Sequence, residues 1–153
     1  MTILEEAFEK DGYNAIPFTF NEAGHPTAVF KYNEHEITFL LDTGATINLL
    51  DTQLANKIGL TLITTEGKGG GAGGVLHDIF SIESITFRYD NLLFSFEQFF
   101  SMDFENIRQT MEATGHSANF QGIFGFGFFE MTQSYIDYVN KRIYVKNIPK
   151  ADN

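Results

Sequence analysis

The 153-residue chain contains no cysteine, and this absence excludes several kinds of site at once. Without thiols there is no disulfide framework, no thiolate zinc or iron–sulfur centre and no cysteine nucleophile. A chain without cysteine favours a reducing compartment, so we expect a cytoplasmic protein. Residues 1–20 are too acidic for a signal peptide. The alternative is therefore an exported mature domain whose leader is absent from this chain.

Basic residues and long apolar runs are also scarce. Ten Lys and Arg stand against 20 Asp and Glu, which gives a formal net charge of −10. Such a surface repels phosphate backbones, so we expect no nucleic-acid partner. No run of eighteen apolar residues occurs, and we expect no membrane partner. The four histidines are widely spaced, and neither a metal nor another cofactor is expected.

Aromatic residues, by contrast, are abundant. The chain has 17 phenylalanines and is 43% apolar, which excludes a disordered acidic tail and suits one domain with one core. We predict an acidic N-terminal extension over residues 1–14, a single domain over residues 15–148 and a C-terminal tail over residues 149–153. An aromatic cluster is expected in the core, with some members free to line a groove or a dimer contact: Phe94, Phe96, Phe99, Phe100 and Phe104.

Apolar patterning predicts eight to ten strands. They are expected near residues 15–20, 27–32, 35–41, 60–65, 75–80, 82–89, 92–101, 135–139 and 142–148, with an apolar, glycine-punctuated segment over residues 122–129. Helical spacing predicts two short helices, over residues 52–59 and 103–114. The predicted fold class is therefore all-β, a closed and mainly antiparallel barrel or sandwich.

The sharpest chemical signal is Asp42-Thr43-Gly44, which follows an apolar strand. A carboxylate there is costly to bury unless it is paired, hydrogen-bonded or protonated. Thr43 supplies a hydroxyl, and Gly44 lets the backbone turn sharply and bring amide groups towards the carboxylate. The alternative is a plain Asx-type turn at a strand end, a common use of Asp-x-Gly.

The segment Phe39 to Thr46 resembles the active-site pattern of the retropepsin-like aspartic proteases, the single-lobed relatives of pepsin. Its apolar residues followed by Asp-Thr-Gly-Ala-Thr match that pattern. The helix-like residues 52–59, the apolar-apolar-Gly step at residues 123–125 and the closing hairpin at residues 136–145 are also similar. These landmarks span most of residues 27–146 in the expected order, and they imply a closed acid-protease barrel.

The resemblance implies an aspartic endopeptidase that hydrolyses peptide bonds with a water activated between two aspartates. In that case Asp42 is the catalytic carboxylate, Thr43 braces the site and Gly44 contributes backbone amides. Further residues are expected to support the site: Ala45, Ile123, Phe124 and Gly125. Only one Asp-Thr-Gly occurs in the chain. We therefore expect a homodimer in which Asp42 of an identical chain supplies the second carboxylate.

Six of the 14 glycines fall between residues 67 and 74. Gly69, Gly71 and Gly74 match the G-x-G-x-x-G spelling of a dinucleotide loop, but the residues that follow do not look helical. The family resemblance implies instead a flap that closes over a polypeptide substrate. Its expected residues are Gly69, Gly70, Gly71, Ala72 and Gly73.

Two other functions remain open at this point. One is a catalytically silent module that keeps the fold and holds peptides in its cleft. The other is a dimerisation module that never uses the cleft.

Overall fold

The computed structural model describes residues 1–70, 76–146 and 148–152. Within them the helices are α1 (Ile3–Lys10), α2 (Thr52–Lys57), α3 (Glu105–Ala113) and α4 (Phe126–Thr132). The strands are β1 (Asn14–Pro17), β2 (Thr19–Phe20), β3 (Pro26–Tyr32), β4 (His35–Leu41), β5 (Leu49–Asp51), β6 (Ile63–Gly70), β7 (Leu76–Ile82), β8 (Ile85–Tyr89), β9 (Leu92–Phe96), β10 (Phe99–Met102), β11 (Gly122–Phe124), β12 (Tyr135–Asp137) and β13 (Arg142–Val145).

The strands form a large sheet and a small one. The large sheet has the order β6-β7-β10-β5-β11-β4-β3-β8-β9, with β2 paired to β3, and the small sheet has the order β1-β13-β12. Neighbours are antiparallel except for β10–β5 and β11–β4, which are parallel. A mainly β fold with a few short helices is thereby confirmed. Closure into a barrel stays a prediction, because the described pairings of the large sheet run from β6 to β9 without joining these two strands.

Two helices were not expected from the sequence. α1 lies in the acidic extension, where a reciprocal capping box starts it: the Thr2 hydroxyl accepts from the Glu5 amide at 3.1 Å, and the Glu5 carboxylate accepts from the Thr2 amide at 2.7 Å. α4 occupies most of the apolar segment that follows β11. Phe128 of α4 is completely buried in the core, so packing outweighs the weak helical propensity of these residues.

The core is built largely from phenylalanine rings that lie between the strands of the large sheet and α4. Phe39 of β4 stacks on Phe124 of β11 with ring centroids 3.9 Å apart. A Cβ on Gly122 would lie 2.4 Å from the Phe39 ring, so glycine is required where β11 meets that ring. Most of the aromatic cluster expected in the core is buried: Phe94, Phe96 and Phe99 lie in this core, and Phe104 lies in a second apolar cluster with Phe120.

The ends of the chain contact the domain directly. Phe8 of α1 stacks on Tyr144 of β13 at 4.2 Å. At the other end, the Leu93 amide donates to the Pro149 carbonyl at 2.8 Å, and the Ala151 amide donates to the Asn91 carbonyl at 2.7 Å. In the described part of the chain, no helix has the length and hydropathy needed to cross a membrane.

Candidate active site

Asp42 lies where three strands of the large sheet meet. β11 sits between β4 and β5; it is parallel to β4, with Leu41 opposite Phe124, and antiparallel to β5, with Ile123 opposite Leu49. Since β4 and β5 are not neighbours, residues 42–48 connect them across the end of β11. This crossing places Asp42 at the carboxyl end of a buried strand, beside the end of a second one.

Backbone hydrogen bonds hold the Asp42 turn in place. The Asp42 amide donates to the Phe124 carbonyl at 3.0 Å, and the Ala45 amide donates to the Asp42 carbonyl at 3.1 Å. The Gly44 amide donates to the Asp42 carboxylate at 2.9 Å. The Asx turn considered for the sequence is therefore present, and it also orients the carboxylate that the family resemblance singles out.

The apolar-apolar-Gly step lies directly against this turn. The Phe126 amide donates to the Ala45 carbonyl at 2.9 Å. A Cβ on Gly125 would lie 2.6 Å from the carbonyl oxygens of both Ala45 and Ile47. Only glycine allows the end of β11 to approach the turn this closely.

Asn48 is a site residue that the sequence did not reveal. Its side chain is buried, and its Oδ1 accepts the Gly125 amide at 2.8 Å. This bond links the loop after Asp42 to the start of α4. The available signal was a single amide side chain within the otherwise apolar run from Ile47 to Leu50.

Two clefts are lined by Asp42. The larger has a volume of about 630 Å³, and Asp42, His25 and Lys68 are its titratable lining residues. The smaller, about 210 Å³, is lined by Asp42, His25, Thr43 and Tyr138 among others. Of the described residues that line these clefts, Asp42 is the sole acid. A single chain therefore presents one carboxylate here.

The structure places the expected site residues in different surroundings. Thr43 and Gly44 are exposed, while Ala45 and Ile123 line the larger cleft and Phe124 lies in the core behind it. Gly69 lines the larger cleft from β6, and Gly70 ends β6 opposite Leu76. The remaining residues expected in the flap, Gly71, Ala72 and Gly73, lie outside the described residues. From Leu76 the chain continues as strand β7, so a dinucleotide-binding helix does not begin there.

The helix predicted over residues 103–114 is present as α3. Its position in the wall of the larger cleft was not predicted from the sequence. Its side chains Ile107 and Met111 line the cleft together with Asp42. The buried carboxylate of Asp51 accepts from the Arg108 guanidinium at 2.5 Å and from the Phe104 amide at 3.2 Å, which ties this helix to the end of β5.

Arg108 of α3 and its acidic neighbours Asp51 and Glu105 stabilise one another's charged forms. Partial burial alone would lower the pKa of the Arg108 guanidinium, but its hydrogen bonds to Asp51 and Glu105 raise that pKa overall. The hydrogen bond from Arg108, followed by the one from Gln53, lowers the pKa of the exposed Glu105 carboxyl. Both groups therefore keep their charges over the neutral range, and the network stays intact.

Another cleft, of about 750 Å³, lies between α1 and the small sheet. Glu5, Tyr13 and Lys150 line it, and it does not include the Asp42 turn. We assign the candidate site to the clefts that contain Asp42 and not to this one, because a carboxylate oriented by backbone hydrogen bonds is a stronger indication of a reactive site than cavity volume. Among residues 1–70, 76–146 and 148–152, no group of three or more His, Asp or Glu side chains is arranged to hold a metal ion.

Comparison with known proteins agrees with this geometry. Residues 28–95 match the family model described as aspartyl protease, a region that includes Asp42 and ends in β9. No curated protein matches the chain significantly.

Solved structures share the fold at low sequence identity. The retroviral protease-like domain of Ddi1 from Leishmania major has a TM-score of 0.56 at 14% identity, covering 84% of this chain and 94% of its own. A retropepsin-like aspartic protease from Rickettsia conorii has a TM-score of 0.55 at 18% identity, covering 88% and 98%. The EIAV protease, solved with the inhibitor HBY-793, has a TM-score of 0.52 at 21% identity, covering 73% and 91%. The resemblance to the retropepsin-like aspartic proteases is thus confirmed, by the family match over residues 28–95 and by the shared fold.

Proposed function

We propose that the chain is an aspartic endopeptidase whose site forms between two copies, with Asp42 supplied by each. The observation that carries this proposal is the placement of Asp42: a hydrogen-bonded carboxylate at a strand junction, open to a peptide-sized cleft that has no second acid among its described lining residues. No cofactor enters the reaction.

The chemistry follows from bringing two carboxylates close together. Like charges a few ångströms apart cannot both ionise easily, so the pair shares one proton and titrates in two separate steps. The ionised Asp42 then takes a proton from a water molecule as that water attacks the scissile carbonyl carbon. The protonated Asp42 of the other copy donates a hydrogen bond to the carbonyl oxygen, where negative charge develops. The C–N bond then breaks as the carbonyl re-forms, and the proton taken from the water passes to the leaving amine.

Exposed groups beside Asp42 support the homodimer. Thr43 and Gly44 are exposed in the single chain, although they adjoin the candidate catalytic group. Tyr138, which lines the smaller cleft with Asp42, is 57% exposed, and its neighbour Val139 is 89% exposed. Apolar surface of this kind, next to half of a site, suits an isologous contact with a second copy.

The substrate would be a polypeptide held under the β6–β7 hairpin. These two strands pair antiparallel, and Gly69 of β6 lines the larger cleft. A glycine-rich strand exposes its backbone amides and carbonyls, which are the groups that recognise an extended peptide of varied sequence. In this proposal the hairpin and residues 71–73 act as the flap.

The direct test is proteolysis of an unfolded protein between about pH 4 and pH 7, the range set by carboxylate pairs with split titrations. We expect cleavage by the wild type and none by Asp42→Asn, while Asp11→Asn in the extension cleaves normally. If neither the wild type nor the variants cleave but the wild type binds peptides, the silent binding module replaces this proposal.

A mixing experiment tests whether the site is shared. Wild-type chains are combined in equal amounts with Asp42→Asn chains under conditions that allow exchange. If both copies contribute, only about one quarter of the dimers are active, so activity per dimer falls to about a quarter. If each chain acts alone, half of the activity remains, and the shared site is excluded.

A further inference from the structure

We propose that α3 is a specificity-determining element: Ile107 and Met111 contact a large apolar side chain of the substrate, and the Asp51–Arg108 pair holds the helix in position for this contact. This inference rests on the proposed peptidase function and names the substrate side chain that the larger cleft selects.

The first observation is the position of one face of α3. Ile107 and Met111 are four residues apart, so they project from the same side of the helix. Both are partly buried, pack against the same apolar cluster as Met102 and Phe120, and line the cleft that contains Asp42. A side chain entering this cleft near Asp42 therefore meets α3.

The second observation is the chemical character of this part of the cleft. Apart from its few polar lining groups near Asp42 and on β6, its walls are apolar: Leu40, Leu49, Ile79, Met102, Ile107, Met111, Phe120 and Ile123. Two of these are methionines, whose flexible thioethers adapt to varied shapes and make favourable contacts with aromatic rings. The apolar walls suit Phe, Leu or Met in the substrate, while Asp or Glu placed against them would lose hydration.

The third observation is how α3 is anchored. Arg108 follows Ile107 directly and donates to the Asp51 carboxylate at 2.5 Å. The carboxylate of Asp51 is 5% exposed, and it also accepts the Phe104 amide just before the helix. Since Asp51 ends β5 and β5 pairs with β11, the helix is joined to the same strands that place Asp42. Arg108 is therefore a positioning residue for the apolar wall.

A second contact joins α3 to the β6–β7 hairpin. The Asn106 side-chain amide lies 2.9 Å from the His77 ring nitrogen on β7. The helix thus contacts both the end of β5, through Asp51, and strand β7 of the hairpin, through His77.

The experiment compares peptides that differ only at the residue before the scissile bond, carrying Phe, Ala or Glu. We expect the wild type to prefer Phe in kcat/KM, and Met111→Ala to lower the Phe-to-Ala ratio about tenfold, the scale expected for a few lost methylene contacts. Glu112→Ala, on an exposed position of the same helix, is the matched control and keeps the wild-type ratio. Equal ratios in Met111→Ala and in the wild type would overturn the inference.

The positioning role of Arg108 is tested by measuring kcat and KM separately for its variants. Arg108→Met should raise KM for the Phe peptide while kcat changes little, because the catalytic turn itself is untouched. Arg108→Lys, which retains the charge, should recover part of the affinity. A parallel fall in kcat for all three peptides, tracking the loss of thermal stability, would show a general structural role and reject the positioning role.

Binding measurements separate this inference from the proposed function. Fluorescence anisotropy of the same peptides on the Asp42→Asn background reports side-chain preference without cleavage. If the wild type cleaves no peptide, the peptidase proposal fails whatever the binding series shows. If it cleaves and Met111→Ala leaves both cleavage and binding ratios unchanged, only the role of α3 fails.

Discussion

Replacing Gly125 by alanine is a stringent test of how the Asp42 turn is held. An added Cβ would lie 2.6 Å from the carbonyl oxygens of Ala45 and Ile47. Carbon–oxygen contacts are rarely closer than about 3.3 Å, so the turn must move away by roughly 0.7 Å. The φ of Gly125 is −112°, which any residue adopts, so the effect is steric and does not arise from backbone strain.

Both atoms in contact belong to the backbone, so no side-chain rotation relieves the overlap. Overpacking of this kind costs about 1–3 kcal/mol of unfolding free energy. A displacement near 1 Å of a catalytic group costs about a hundredfold in rate. We therefore expect Gly125→Ala to stay folded with a lower unfolding midpoint, and to lose about two orders of magnitude in kcat/KM.

Gly127→Ala is the matched control, two residues further along in α4. Its added Cβ would lie 3.1 Å from the Asn48 side-chain amide, 0.5 Å farther than the Gly125 contacts with the carbonyl oxygens, and would have no backbone atom outside its own helix within 4 Å. Alanine also favours a helix interior over glycine by about 1 kcal/mol. Urea unfolding and peptide cleavage are measured for both variants. Near-wild-type activity in Gly125→Ala, or equal losses in the two variants, would refute the close-approach argument.

Three further predictions concern the surroundings of the site. Arg108→Met leaves the buried Asp51 carboxylate without its cation, and because Arg108 is itself 21% exposed we expect a loss of about 2–3 kcal/mol in urea unfolding, below the full cost of breaking a buried pair. Hydrogen bonds from the Asn140 side chain and amide lower the pKa of Asp137 from 3.8, so they stabilise the fold above about pH 4 and less as the pH falls. The melting temperatures of wild type and Asn140→Ala should accordingly differ most near neutrality and converge in acid; a constant gap would contradict this. Gly69→Ala places a Cβ 2.8 Å from an apolar side chain of the cleft, and KM should rise several-fold with little change in melting temperature; an unchanged KM would show that peptides do not pass this strand.

Some local features of the site could be predicted from short sequence patterns. The alternation in residues 35–41 predicted β4 with its observed bounds, and the Asp-x-Gly spelling predicted the turn after it. Both ends of α2 could also be predicted. In the structure Asp51 accepts from the Gln53 amide at the start of the helix, and Gly59 follows its end with φ +80°. In these cases the physical cause lies within a few neighbouring residues, which a single sequence displays.

Features that depend on residues far apart in the chain could not be predicted from the sequence. β5 has three residues, too few for any periodicity, and it exists because it pairs with β11 and β10, at least 48 residues further along the chain. The predicted strand over residues 92–101 is divided into β9 and β10, because β9 pairs with β8 whereas β10 pairs with β7. The apolar wall on α3 depends on the Asp51–Arg108 pair, which joins side chains 57 positions apart. Flap closure and the dimer contact stay predictions, because each depends on a ligand or a second chain.

The phenylalanine-rich core has a direct bearing on the geometry of the candidate site. Phe39 and Phe124 stack with their rings 6° from parallel, and the Phe39 ring lies where a side chain on Gly122 would otherwise stand. A slip of β11 by one residue would bring Ile123 against that ring and turn every side chain of the strand to the opposite face. It would also remove the Phe124 carbonyl from the Asp42 amide, which it accepts at 3.0 Å. The aromatic core therefore sets the strand register, and the register places the carboxylate, so core substitutions at these rings should impair the site even where the fold survives.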